Sequence, residues 1–307
     1  MTSRNDIEKR FKALQKKICD ALEKLDGKSA FRSDQWTRPE GGGGLTKVLT
    51  DGEVIEKGGV NFSAVHGHAP KKITDALGFG PSKFYATGVS IVLHPQNPWM
   101  PIIHMNIRYF DMSPEDPEAE STYWFGGGID LTPHYVDLKD AGFFHKALKT
   151  VCDKSDPMYY DRFKKWADDY FYIRHRKETR GIGGIFFDRL NEMNEQHSFE
   201  ELWDFVVNVG EQFIPVYQYF VEKYAHKPYD EPHKQWQLLR RGRYVEFNLV
   251  WDKGTKFGLD TDGRTESILM SLPANASWSY DYQPIAGSDE EKTLSLLKKD
   301  IDWISYA

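Results

Sequence analysis

The segment PIIHMNIRYF, residues 101 to 110, places the tightest constraint on the fold. Ile103, Met105, Ile107 and Tyr109 alternate with His104, Asn106 and Arg108, and a period of two puts the two sets on opposite faces of a strand. A strand whose sheet is covered by apolar layers on both faces reads as continuously apolar. Here one face instead offers an imidazole, an amide and a guanidinium in a row. A solvated polar face is the competing explanation, but Asn and His fill such faces poorly compared with Lys, Glu and Thr. The row therefore reads as ligand-facing.

The remaining elements fit around such a strand. Ile7, Phe11, Leu14, Ile18, Leu22 and Leu25 recur every three or four residues and predict an amphipathic first helix ending at Gly27. Residues 38 to 70, rich in Gly, read as turns and edge strands, and FYATGVSIVLHP (84 to 95) as a strand. Phe163, Trp166, Tyr170 and Ile173 predict a helical stretch from Tyr159 to Lys177, terminated by GIGG at 181 to 184. Ser198 and Glu201 form a capping box ahead of one long helix, and Ser288 caps a final one. RYVEFNLVWD (243 to 252) and RTESILMSLP (264 to 273) read as strands. Strands in hairpin-like succession with helices segregated between them predict an α+β fold with a largely antiparallel sheet. No repeat or long linker interrupts the 307 residues, so a single domain over 1–307 is expected.

Several residues point to chemistry. In YWFGGGIDLTP (123 to 133), three glycines precede one acid, Asp130, between Ile129 and Leu131. A carboxylate among apolar neighbours is a candidate base; a cap on the following turn is the alternative. Arg174, His175, Arg176, Lys177 and Arg180 cluster where the helix is expected to end, which the helix dipole explains for the first four. Arg180 stands beside Gly181, Gly183 and Gly184, where it could bind a ligand carboxylate bidentately. Arg240, Arg241 and Arg243 read as surface residues. His94, His104, His145 and His175 have no i, i+4 pair and no nearby Cys, so no metal signature is read. The glycine runs match neither a dinucleotide fingerprint nor a phosphate loop.

Composition narrows the partners. A net charge of −6 argues against nucleic-acid binding, so any anionic ligand must be met by local arginines. Aromatic residues make up 14% of the chain, enough to line a pocket for a flat ligand as well as fill a core. Two cysteines, Cys19 and Cys152, fit a reducing compartment. No apolar run approaches the ~20 residues that span a bilayer, and the N-terminus lacks a secretory apolar core and carries Asp6, Glu8, Asp20 and Glu23, unlike an acidic-poor transit peptide. A cytoplasmic location is expected.

Taken together, GVSIVLHP, HMNIRYF, YWFGGGIDLTP, HRKETRGIGGIFFD and YVEFNLVWDKGTKFGLDTDGRTESILMSLP closely resemble the oxygen-dependent coproporphyrinogen III oxidases of haem biosynthesis, from the first helix to the last. The resemblance implies a large, flat, mostly antiparallel sheet sandwiched between helices. It also implies a homodimer through the region around Tyr244–Pro273 and oxidative decarboxylation of two propionates of coproporphyrinogen III to vinyls. Molecular oxygen would be the co-substrate, and CO2 and hydrogen peroxide the by-products, with no metal or organic cofactor. Residue by residue, Asp130 would engage a pyrrole N–H, His104 would donate a proton, and Arg108 and Arg180 would hold propionates and position the reacting ring. Ser90, Asn106, Arg108, Gly263 and Arg264 would contact substrate. Tyr123 stands where a second Trp is common, and Asp262, where Gly is common, would weaken anion binding at Arg264. The competing readings are a metal-dependent oxygenase using His94, His104, His145 and His175, and a non-catalytic tetrapyrrole-binding protein.

Overall fold

The computed structural model describes residues 2–71, 74–75, 78, 80–116, 118–260 and 263–307. The first helix, α1 (Arg4–Asp26), begins where the Ser3 side chain accepts from the Asp6 amide and Asp6 reaches back to the Ser3 amide. It ends at Gly27, whose φ of 71° is the left-handed conformation that glycine adopts without strain. Ile7, Phe11, Leu14, Ile18 and Leu22 are all buried along one stripe.

Six strands follow as an antiparallel meander: β1 (Arg32–Thr37), β2 (Gly42–Thr50), β3 (Ile55–His68), β4 (Ser82–Pro95), β5 (Ile102–Pro114) and β6 (Thr122–Thr132). The chain then leaves the sheet through α2 (Leu138–Asp153), α3 (Tyr159–Tyr170) and a two-residue hairpin, β7 (Tyr172–Ile173) with β8 (Glu178–Thr179). It returns as β9 (Gly183–Leu190), antiparallel to β6, to complete a seven-stranded sheet. One face buries Val89, Ile91, Ile103, Met105, Ile107, Phe125, Ile129 and Phe187. α1, α4 (Phe199–Glu211) and α5 (Phe213–Tyr224) pack there, as in the contact of the Phe125 ring with Trp203 at 5.8 Å.

The opposite face carries His104, Asn106 and Arg108, as the alternation in β5 requires. It is covered by the end of α6 (Glu231–Glu246) and by the short α8 (Thr265–Leu269), which follows α7 (Lys253–Asp260). The Asn61 amide on β3 donates to the Ser267 carbonyl at 3.0 Å, and Lys57 to that of Leu272 at 2.7 Å. α9 (Asp289–Leu296) and a 3-10 turn at Trp303–Tyr306 close the chain. The fold is therefore α+β, with helices on both faces of an antiparallel sheet.

Five expectations are corrected. The helix begun at Tyr159 stops at Tyr170, and Arg174 to Lys177 form the hairpin turn instead of a helix end. The long helix capped by Ser198 breaks at Gln212, because Pro215 has no N–H to donate to Glu211. RYVEFNLVWD is not a strand: it ends α6 and makes one π-helical turn, Phe247–Trp251, closed by the Asp252 amide on the Phe247 carbonyl at 2.9 Å. RTESILMSLP is likewise helical at Thr265–Leu269. Over runs this short, periods of 2 and 3.6 are hard to tell apart. Arg240, Arg241 and Arg243 are buried in α6 and paired with Glu178, Glu56 and Glu246, so they are not surface residues. Among the described residues, no helix is long and apolar enough to cross a membrane.

Candidate active site

Strand register assembles the site. Across β4, β5 and β6, Val92, His104 and Asp130 lie in one row, Ser90, Asn106 and Gly128 in the next, and Gly88, Arg108 and Gly126 in the third. Because residues opposite each other point to the same face, the polar row of β5 is flanked by glycines and Ser90, with Asp130 at one end.

Asp130 is buried and ionised. His104 Nδ1 donates to its Oδ1 at 2.6 Å, and Arg180 Nη2 to its Oδ2 at 2.5 Å. Burial alone would raise this carboxyl, but the Arg180 charge and the His104 hydrogen bond outweigh it and hold it below the usual carboxylate range. A carboxylate offers about four lone-pair sites, so acceptor capacity remains for a ligand N–H. His104 is a quarter exposed. With Nδ1–H committed to Asp130, its Nε2 has no protein partner among the described residues.

Arg180 is deployed differently from expectation. Its guanidinium does not reach for an open pocket but is buried, with Nη1 donating to Asn248 Oδ1 at 3.0 Å and its carbon 4.3 to 4.7 Å from the ring centres of Phe171, Tyr244 and Phe247. Arg108 is the more accessible cation, its side chain 36% exposed. It donates to Asn106 Oδ1 and to Asp188 Oδ1, each at 2.9 Å. Gly126 makes room for that pair, since a Cβ there would sit 2.5 Å from Asp188 Oδ1 and 2.8 Å from Arg108 Nη2.

Ser90 adjoins Asn106 in register. Gly263 and Arg264 are not brought up to this row: Arg264 binds Asp34 of the edge strand β1 at 2.5 Å and Ser267 at 3.1 Å, so the covering segment is fastened to the sheet edge. Asp262 lies outside the described residues. Phe171, Tyr244, Phe247, Asn248 and Asp188 escaped sequence reasoning. An Asn inside the apolar run VEFNLVW was the one visible signal, because such a residue needs a buried partner.

The four histidines do not converge. His145, on α2, has both ring nitrogens engaged, by Tyr160 Oη at 2.9 Å and by the Ile182 carbonyl at 2.9 Å. His175 bridges Glu246 and Trp251 at the surface hairpin, and His94 is buried against the Ser271 carbonyl. Among the described residues no three His, Cys, Asp or Glu side chains are grouped to hold a metal ion, so the residues present do not fit the metal-oxygenase alternative.

Comparison with known proteins identifies the family. The family profile described as coproporphyrinogen III oxidase matches residues 6–303. The chain is 49% identical over 307 residues to "Coproporphyrinogen-III oxidase 1, chloroplastic" of Arabidopsis thaliana, covering 97% of this chain and 78% of the relative. It is 50% identical over 301 residues to "Oxygen-dependent coproporphyrinogen-III oxidase" of Drosophila melanogaster, covering 95% and 76%. The chain belongs to the coproporphyrinogen III oxidase family.

Proposed function

We infer that this protein is an oxygen-dependent coproporphyrinogen III oxidase, converting two propionates of its substrate to vinyl groups to give protoporphyrinogen IX. For each propionate, –CH2CH2COOH and O2 give –CH=CH2, CO2 and H2O2; the side chain loses two electrons and two protons, and oxygen gains them. The observation that carries the assignment of roles is the fixed carboxylate of Asp130, held between His104 and Arg180 on the same sheet face as Asn106 and Arg108.

Asp130 accepts the hydrogen bond of a pyrrole N–H and so raises the electron density of the ring that must reduce oxygen. His104 relays the proton through Nε2, its orientation set by Asp130. Arg108, with Ser90 and Asn106 beside it, meets a substrate propionate, and Gly263 and Arg264 contact the substrate from the covering segment. Arg180 acts on the substrate through Asp130.

No metal or organic cofactor takes part. The whole chain works as one domain, since one apolar core runs from Ile7 to Trp303. Two copies associate through the region around Tyr244–Pro273, where Leu249 and Val250 are about half exposed, and the protein is cytoplasmic. An aerobic assay with coproporphyrinogen III in the presence of excess chelator tests the function: accumulation of protoporphyrin species supports it. Turnover that requires one added metal, or binding without turnover, would favour the alternatives.

A further inference from the structure

The single π-helical turn at Phe247–Trp251 has a specific consequence for the site. Its wider winding brings two consecutive side chains, Phe247 and Asn248, into the interior, while Leu249 and Val250 face outward. Phe247 is one of the three rings around the Arg180 guanidinium, and Asn248 supplies the only side-chain oxygen besides Asp130 that Arg180 meets among the described residues. The three rings constrain the plane of the guanidinium by contact but offer no directed acceptor for its second amino group. Asn248 does, from a side chain that is itself 4% exposed.

We propose that Asn248 is a positioning residue for the reaction, fixing the rotation of Arg180 so that Nη2 addresses Asp130 Oδ2 and the other carboxylate oxygen is left to His104. This rests on the reading that Asp130 engages the substrate. The ionisable groups around the pair are His104 on β5, Tyr244 on α6 and Asp252 after the π-turn, with Tyr244 contacting Arg180 directly and Asp252 acting on it through space. The neutral amide of Asn248 holds Arg180 without competing for its charge. An acid at that position would hold it equally well and draw it away from Asp130.

The test compares Asn248→Ala and Asn248→Asp in the full-length protein. Asn248→Ala is expected to lower kcat by about tenfold, as small misplacements do, with KM within about threefold. Asn248→Asp keeps an acceptor for Arg180 and is expected to fold with a melting temperature near wild type. It should nevertheless lose kcat and shift the Asp130 titration upward by roughly one pH unit, because a second carboxylate shares the cation. That titration is followed in protein carrying 13C-labelled aspartate, the Asp130 signal being assigned by its loss in Asp130→Asn, so the result does not depend on turnover. If wild type turns over no substrate, the functional reading fails. If Asn248→Asp is folded with wild-type kcat and an unmoved Asp130 titration, Asn248 is only structural.

Discussion

Arg180 is committed to Asp130: its Nη2 stands 2.5 Å from Oδ2, and both side chains are only 3% exposed. Removing one partner of such a pair strands the other charge in a dry environment, which typically costs ~3–5 kcal/mol. Arg180→Ala is therefore expected to lose several kcal/mol in urea unfolding and to lose kcat with the carboxylate no longer held. A variant as stable and as fast as wild type would show that the guanidinium is dispensable to Asp130.

Arg108 should behave otherwise, because it is over a third exposed and its partners Asn106 and Asp188 are on the same polar face of the sheet. Arg108→Ala is expected to unfold like wild type and to lose roughly several-fold to a few hundred-fold in kcat/KM, mostly through KM, as an anion-binding cation does. Steady-state kinetics on folded protein decide this, and an unchanged KM would remove Arg108 from substrate binding.

The glycine run offers a paired test. At Gly126 an added Cβ meets only the side-chain ends of Asp188 and Arg108, whereas at Gly128 it would lie 2.6 Å from the Ile185 carbonyl of β9. Gly126→Ala is expected to fold and raise KM by displacing Arg108. Gly128→Ala should destabilise by about 1–3 kcal/mol, as forced overpacking does. The reverse pattern, read from melting temperature and KM, would contradict the assignment of the two positions.

Acid sensitivity follows from three buried histidines. Burial holds His134 and His145 down to about 3, and burial together with the nearby Arg241 charge holds His94 well below the ordinary imidazole range. In the unfolded chain each titrates near 6.5, so below that pH the unfolded state binds more protons and stability falls as pH falls. Three such groups give a slope approaching about 4 kcal/mol per pH unit. Asp130 adds its loss later, below the ordinary Asp range, because its folded value is depressed. Calorimetry between pH 7.5 and 5 should show a falling melting temperature and uptake of about three protons on unfolding; a flat profile would mean these imidazoles are not buried neutral.

What could be read in advance was whatever local pattern controls. The alternation in β5 predicted which of its side chains share one face of the sheet, and the spacing in α1 predicted its buried stripe and its stop at Gly27. Asp130 was conspicuous because its neighbours along the chain are apolar. The use of Arg180 was hidden, since Phe171, Tyr244, Phe247 and Asn248 reach it from two separate segments and only tertiary packing brings them together. The run from Arg243 to Asp252 was misread for the same reason: a helix end with a π-turn shows the short apolar alternation that a strand does.

The most direct test is the turnover of Asp130→Asn with coproporphyrinogen III under air, measured below its melting temperature. Asn keeps the size and one acceptor but not the charge that orients His104 and, in the proposed function, engages the pyrrole. The expected result is a kcat lower by ~10²–10⁴, with KM little changed and a reduced melting temperature from the unpaired Arg180. A folded variant turning over within about threefold of wild type, well short of a general-base loss, would contradict the central role of Asp130.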